Sequence, residues 1–126
     1  MSLPGTTDPI ARTPEPPYYA VIFTSLRTPA DDAGYESAAA EMAELAMRQP
    51  GYLGVESARG GDRLGITVSY WASEEAIRAW KLESDHLAVQ RLGRERWYAG
   101  YTLRVARVER SYTLETSPQS GLHAEA

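Results

Sequence analysis

The segment Tyr18–Arg27, YYAVIFTSLR, is apolar on both of its alternating faces. Its aromatic and β-branched residues, closed by Thr28-Pro29, predict a strand. Tyr19, Val21 and Phe23 fall on one face, and Ala20, Ile22 and Leu26 on the other. Such a strand must be covered twice. A chain of 126 residues has room for one domain and one main core, so helices can cover one face while the other needs something more.

The elements around this strand follow from periodicity. Asp31 and Asp32 are placed to cap a helix. Tyr35, Ala38, Met42, Leu45 and Ala46 then recur at three- and four-residue steps, predicting an amphipathic helix of about a dozen residues that Pro50-Gly51 ends. Tyr52–Arg59 reads as a second strand, Gly60-Gly61-Asp62 as a hairpin turn, and Leu64–Trp71 as the return strand. In that return strand Leu64, Ile66, Val68 and Tyr70 share one face, while Gly65, Thr67, Ser69 and Trp71 share the other. Ser73, with Glu74 and Glu75 behind it, caps a second helix. Ser84 or Asp85 is expected to interrupt and restart it. Tyr101–Tyr112 is the last strand, where a phase slip at Ala106 and Val108 suggests a β-bulge.

Strand, helix, strand, strand, helix, strand is the order of a ferredoxin-like βαββαβ sandwich, an α+β fold. Its four-stranded antiparallel sheet carries helices on one face only, so a homodimer with two sheets packed face to face is expected to cover the other. The domain spans residues 18–112. Residues 1–17, with Pro4, Pro9, Pro14, Pro16 and Pro17, read as a flexible arm, and residues 113–126 as a flexible tail in which His123 is a bystander.

Composition closes off several classes of function. The chain has no cysteine, so thiolate chemistry and Cys-bound metals are excluded. With His86 and His123 as the only histidines and carboxylates scattered, no metal site is expected. A net charge of −4 leaves no overall footprint for nucleic acid or an anionic membrane. Arg91, Arg94, Arg96, Arg104, Arg107 and Arg110 form a basic stretch, but Glu95 and Glu109 break it into a solvated face. No apolar run reaches the roughly 20 residues of a membrane span, and no secretory signal opens the chain. A cytoplasmic location is the resulting expectation.

Trp71–Trp97 concentrates the rare residues: all three tryptophans, the only lysine (Lys81), and His86. Gln49-Pro50-Gly51-Tyr52-Leu53-Gly54 follows a helix and opens a strand; LGITVSYW runs into Ala72-Ser73-Glu74-Glu75-Ala76; and Ser84-Asp85-His86-Leu87 follows Ala79-Trp80. In this order and spacing the chain resembles the antibiotic biosynthesis monooxygenase family of dimeric α+β barrels, over roughly residues 18–112. The resemblance implies a dimer with a pocket in each subunit between sheet and helices. Members include cofactor-independent oxygenases of aromatic polyketides, phenols and quinols, as well as haem-degrading enzymes.

Trp80 is similar to the tryptophan that the haem-degrading branch sets against the porphyrin. The position of that branch's haem-ligating histidine falls on Gln90 or Arg91, and that of its first-strand asparagine near Thr24 or Ser25. None of these fits, so haem degradation is disfavoured.

Oxygenation of a phenol or quinol without a cofactor needs a base, a dry pocket and donors for the oxyanion. His86 suits the base, since histidine titrates near neutrality. Trp80, Trp71 and Tyr70 are expected to wall the pocket, and Arg91 or Arg94 to steady the anion. The expected function is therefore a cofactor-independent monooxygenase of a small aromatic substrate, with dioxygen as co-substrate. A non-catalytic dimeric module binding a small hydrophobic ligand is the alternative, and a haem protein the third reading. His86 as a helix-surface residue and Trp80 as plain core are the bland counterparts of the first.

Overall fold

The two apolar faces of the first strand place it inside the sheet. In the computed structural model, which describes residues 9–91 and 94–117, the elements are β1 (Tyr18–Arg27), α1 (Asp32–Met47), β2 (Tyr52–Arg59), β3 (Leu64–Trp71), α2 (Glu74–Arg91), α3 (Arg94–Trp97) and β4 (Tyr98–Val108). The strands form one antiparallel sheet in the order β2-β3-β1-β4, so β1 is flanked on both sides. This is the ferredoxin-like α+β fold.

Register assigns every strand residue to a face. Val21 pairs with Ser69 and Val105, and Phe23 with Thr67 and Leu103; these side chains point to the inner, helix-covered face. Ile22 pairs with Val68 and Arg104 on the outer face. The inner core is the cluster Val21, Ala46, Trp71 and Ile77, in which the end of α1 meets the start of α2.

Local chemistry sets the element ends. Asp31 caps α1, its carboxylate accepting from the Gly34 N–H at 3.2 Å, and the helix runs for 16 residues rather than a dozen. Gly51 turns the chain into β2 with φ of 87°, and a Cβ there would stand 2.6 Å from that of Ala76, so both backbone and space call for glycine. Ser73 caps α2 by accepting from the Ala76 N–H at 3.1 Å.

Two expectations are corrected. First, α2 is continuous through Ser84 and Asp85. The Ser84 hydroxyl donates back to the Lys81 carbonyl at 3.1 Å, and Lys81 pairs with Asp85 one turn on at 2.8 Å, so both residues are satisfied inside the helix. Second, the β1–β4 pairing is regular from Tyr18↔Val108 to Leu26↔Gly100, and its shift comes at Leu26/Arg27, where Arg27 pairs with Tyr98 and Ala99 is passed over. The irregularity therefore lies at the start of β4, where the chain enters from α3, not at Ala106 or Val108.

Part of the outer face is covered by the segment preceding β1. The Ala11 N–H donates to Glu56 Oε2 at 3.0 Å, the Thr13 and Tyr18 hydroxyls are 2.8 Å apart, and Tyr18 meets the Tyr70 ring edge-on at 5.8 Å. Tyr18 and Ala20 are buried there. At the other end of this face Leu26, Leu64 and Ile66 each remain 44% exposed.

Candidate functional site

The helices come together at Ala46 and Ile77, and beyond that junction a cavity of about 330 Å³ opens between them and the inner face of the sheet. The composition of α1 makes the room. Tyr35, Ala38, Ala39, Met42, Ala43 and Ala46 follow helical spacing along the cavity, and four of these six are alanines, which leave the space that larger side chains would fill. Val21, Phe23, Val55, Thr67 and Ser69 form its floor, while Trp80, Lys81, Ser84 and Asp85 line it from α2.

Aromatic rings wall both ends. At one, Trp80 stacks on Trp71 at 5.9 Å and 23°, and Tyr52 meets Trp71 edge-on at 5.6 Å. At the other, Phe23 contacts Tyr98 at 5.5 Å and Tyr101 at 5.2 Å, and Tyr35 meets Trp97 at 5.9 Å. Trp97 is fixed by its indole N–H donating to Asp31 at 3.3 Å and by its carbonyl accepting from the Thr28 N–H at 2.8 Å.

Charge is arranged unevenly around this cavity. Lys81 and Asp85 form an ion pair on its α2 side, both partly exposed. At the Tyr35 end Asp32 accepts two hydrogen bonds from Arg63, at 3.0 and 3.1 Å, and pairs with Arg27 at 3.2 Å. Hydrogen bonding from Arg63 foremost, with the charges of Arg63 and Arg27, holds the Asp32 carboxyl below its usual range. Burial first, and then the neighbouring Tyr35, push the Tyr98 phenol well above its ordinary value against the opposing pull of Arg59 and Arg27. Tyr98 thus stays protonated at neutral pH, with its hydroxyl hydrogen-bonded to Tyr35.

The residues singled out from sequence are not gathered in one place. Trp80 lines the cavity. Trp71 lies behind it, 0% exposed, its indole N–H donating to Ser69 at 2.8 Å, and it belongs to the core instead of the lining. Tyr70 projects from the outer face, where its hydroxyl donates to Glu56 at 2.6 Å; burial foremost, then that carboxylate, raises its pKa. His86 is exposed on α2 and stands outside the lining. The side chains of Arg91 and Arg94 lie outside the described residues, as does His123. The cavity instead brings in Tyr35, Tyr98, Tyr101, Lys81 and Asp85. The helical stripe of α1 pointed to the first of these, and Tyr98 was hidden by a strand start read three residues too late.

Comparison with known proteins agrees with this architecture. The antibiotic biosynthesis monooxygenase family matches residues 17–92. YqjZ, an uncharacterized protein of Bacillus subtilis (strain 168), is 52% identical over 103 residues, which are 82% of this chain and 90% of that protein. Among solved structures, protein SO0527 of Shewanella oneidensis is similar with a TM-score of 0.63 at 10% identity, covering 81% of this chain and all (100%) of that one. SnoaB, a cofactor-independent oxygenase from Streptomyces nogalater, is similar with a TM-score of 0.56 at 18% identity, covering 79% of this chain and 98% of that one. At these identities the two structural likenesses are ones of fold.

Proposed function

Because the chain belongs to the antibiotic biosynthesis monooxygenase family, we propose that it binds a small aromatic molecule of the phenol or quinol class between sheet and helices and oxidises it with dioxygen, without a cofactor. The observation that carries this reading is the cavity itself. It is walled by Trp80, Phe23, Tyr98 and Tyr101, and at about 330 Å³ it sits at the small end of ligand pockets. Flat rings recognise flat ligands through stacked and edge contacts, and a mainly apolar lining holds water back from a radical pair once the ligand is seated.

The chemistry asks for an electron-rich anion. A phenolate passes one electron to dioxygen; the phenoxyl radical and superoxide join at a ring carbon as a hydroperoxide; loss of water leaves a quinone. One oxygen atom goes to product and one to water, and all four electrons come from the substrate. With the His86 imidazole exposed outside the lining, the substrate enters as its own anion, a molecule acidic enough to be ionised near neutrality.

Dissolved-oxygen uptake with a panel of phenols and hydroquinones tests this reading. Turnover should track the ionisation of the substrate, and His86→Ala should leave it within about twofold of native. A loss exceeding about tenfold in His86→Ala would return the imidazole to the role of base. The cavity lining among the described residues holds tyrosines and one Lys–Asp pair as its ionisable groups, which also suits a non-catalytic binding module. Saturable binding with no oxygen consumed across the panel would select that second reading.

We also infer that two copies pair through the outer face of the sheet, over the exposed Leu26, Leu64 and Ile66.

A further inference from the structure

The end of the cavity between the starts of α1 and β4 gathers phenol hydroxyls with cations behind them. Two phenols, Tyr35 and Tyr98, line it with ring centres 5.9 Å apart and planes at 89°. Behind them lie guanidinium groups. Arg59 Nη2 donates to the Tyr35 hydroxyl at 3.2 Å and to the buried Ser25 hydroxyl at 3.3 Å, while its Nη1 donates to the Arg63 carbonyl at 2.7 Å. The Arg27 guanidinium lies 3.6 Å from the centre of the Tyr35 ring.

The sheet is built to let Arg59 lie there. Arg59 pairs with Gly65, and Gly65 with Ser25, so the three stand abreast on the inner face across β2, β3 and β1. A Cβ on Gly65 would collide with the Arg59 guanidinium. A glycine in a strand interior costs stability, and here its return is a flat track along which Arg59 reaches Ser25 and Tyr35.

The charges at this end do not balance. Arg27 and Arg63 share Asp32, Arg96 pairs with Asp31 at 3.7 Å, and among the described residues Arg59 makes no ion pair with a carboxylate. A tyrosine hydroxyl has one proton to give and two lone pairs to receive. With the lone pairs of Tyr35 engaged by the Arg59 cation and by the Tyr98 hydroxyl, its O–H is left to donate, and the electrostatic excess favours an anion as the group it donates to.

We propose that this end of the cavity is an oxyanion clamp, in which the Tyr35 hydroxyl donates to an ionised oxygen of an aromatic ligand and Tyr98 and Arg59 act as positioning residues on either side of it. The ligand class is an aromatic phenolate or enolate, held with its charged oxygen at this end and its rings along Phe23 and Trp80. The proposal rests on the reading of the cavity as an aromatic site.

The test uses two probes on one ring frame, 2-hydroxy-1,4-naphthoquinone, anionic at neutral pH, and uncharged 1,4-naphthoquinone. Each is titrated into the full-length protein, following quenching of tryptophan fluorescence. The native protein should prefer the anion by about tenfold or more, the ratio expected of a charge-assisted hydrogen bond. Tyr35→Phe and Tyr98→Phe, which keep the rings, should remove most of that preference and part of it respectively, and leave the 1,4-naphthoquinone affinity unchanged. Arg59→Gln should reduce the preference and Arg59→Lys restore part of it, with unchanged circular dichroism confirming the fold. Binding of both probes without preference, or a ratio that survives Tyr35→Phe, overturns the clamp and leaves the aromatic cavity standing. Binding of neither probe overturns the aromatic cavity and the clamp with it.

Discussion

The three tryptophans look alike in sequence and are used in different ways. Trp71 is fully buried beneath Trp80, while Trp80 is half-buried and faces the cavity. Trp71→Ala should therefore cost about 3–5 kcal/mol, the range for emptying a large aromatic site in a core. Trp80→Ala should cost clearly less but weaken binding of the naphthoquinones. Urea unfolding of both variants checks the order, and equal losses of stability would contradict it. Strand alternation put Trp71 on the inner face correctly; it could not give depth, because depth depends on what the helices lay over that face. His86 stands outside the cavity lining for a different reason. Six residues separate it from Trp80, which is about 240° around a continuous helix and turns the two side chains apart. A break at Ser84 would have reset that angle, and the continuous α2 does not.

At the scale of elements, α2 tests whether serine acts as a cap or as a residue of the helix interior. Ser73 accepts from the Ala76 N–H and carries the N-terminus, so Ser73→Ala should destabilise by about 1 kcal/mol. Ser84 sits mid-helix with its hydroxyl turned back to Lys81, so Ser84→Ala should be neutral or stabilise by up to about 0.5 kcal/mol. Thermal unfolding of the two variants separates these outcomes; a loss at Ser84 as large as that at Ser73 would restore the interruption. Ser-Asp before an apolar residue is a start signal by composition, and the signal was overridden by the Lys81–Asp85 pair and by packing of Ile77, Trp80 and Leu87 along one side of the helix. The strands were legible where one face is buried. They were less so in β4, an edge strand with exposed residues over most of its length, where no core enforces alternation and the phase slip at Ala106 carried no structural meaning. Arg59 has the sequence of an ordinary strand end, and Gly65 within an otherwise β-prone strand is the one sign that something lies across it.

For the whole molecule, the doubly apolar β1 dictated both the topology and the question of what covers the second face. The order β2-β3-β1-β4 satisfies β1 along its edges, and the helices cover its inner face. On the outer face the segment from Ala11 to Pro17 covers only the Tyr18–Tyr70 end, through Glu56 and Thr13. Leu26 and Leu64 are paired across neighbouring strands at the far end, with Ile66 beside them, and form one contiguous apolar surface in continuity with Ile22 and Val68. A second copy related by a two-fold axis would bury this patch against itself, which is how a sheet with helices on one side only can complete its core. Sedimentation of the full-length protein should then give a dimer, and Ile66→Glu should raise its dissociation constant by at least about tenfold, since the interface would have to bury unpaired carboxylates. Far-ultraviolet circular dichroism of the variant should match the native protein, because Ile66 is 44% exposed in the single chain and supports little of the monomer core. A native protein that sediments as a monomer, or an Ile66→Glu variant that dimerises as well as native, would show that the second face of β1 is left to solvent and to the segment preceding it.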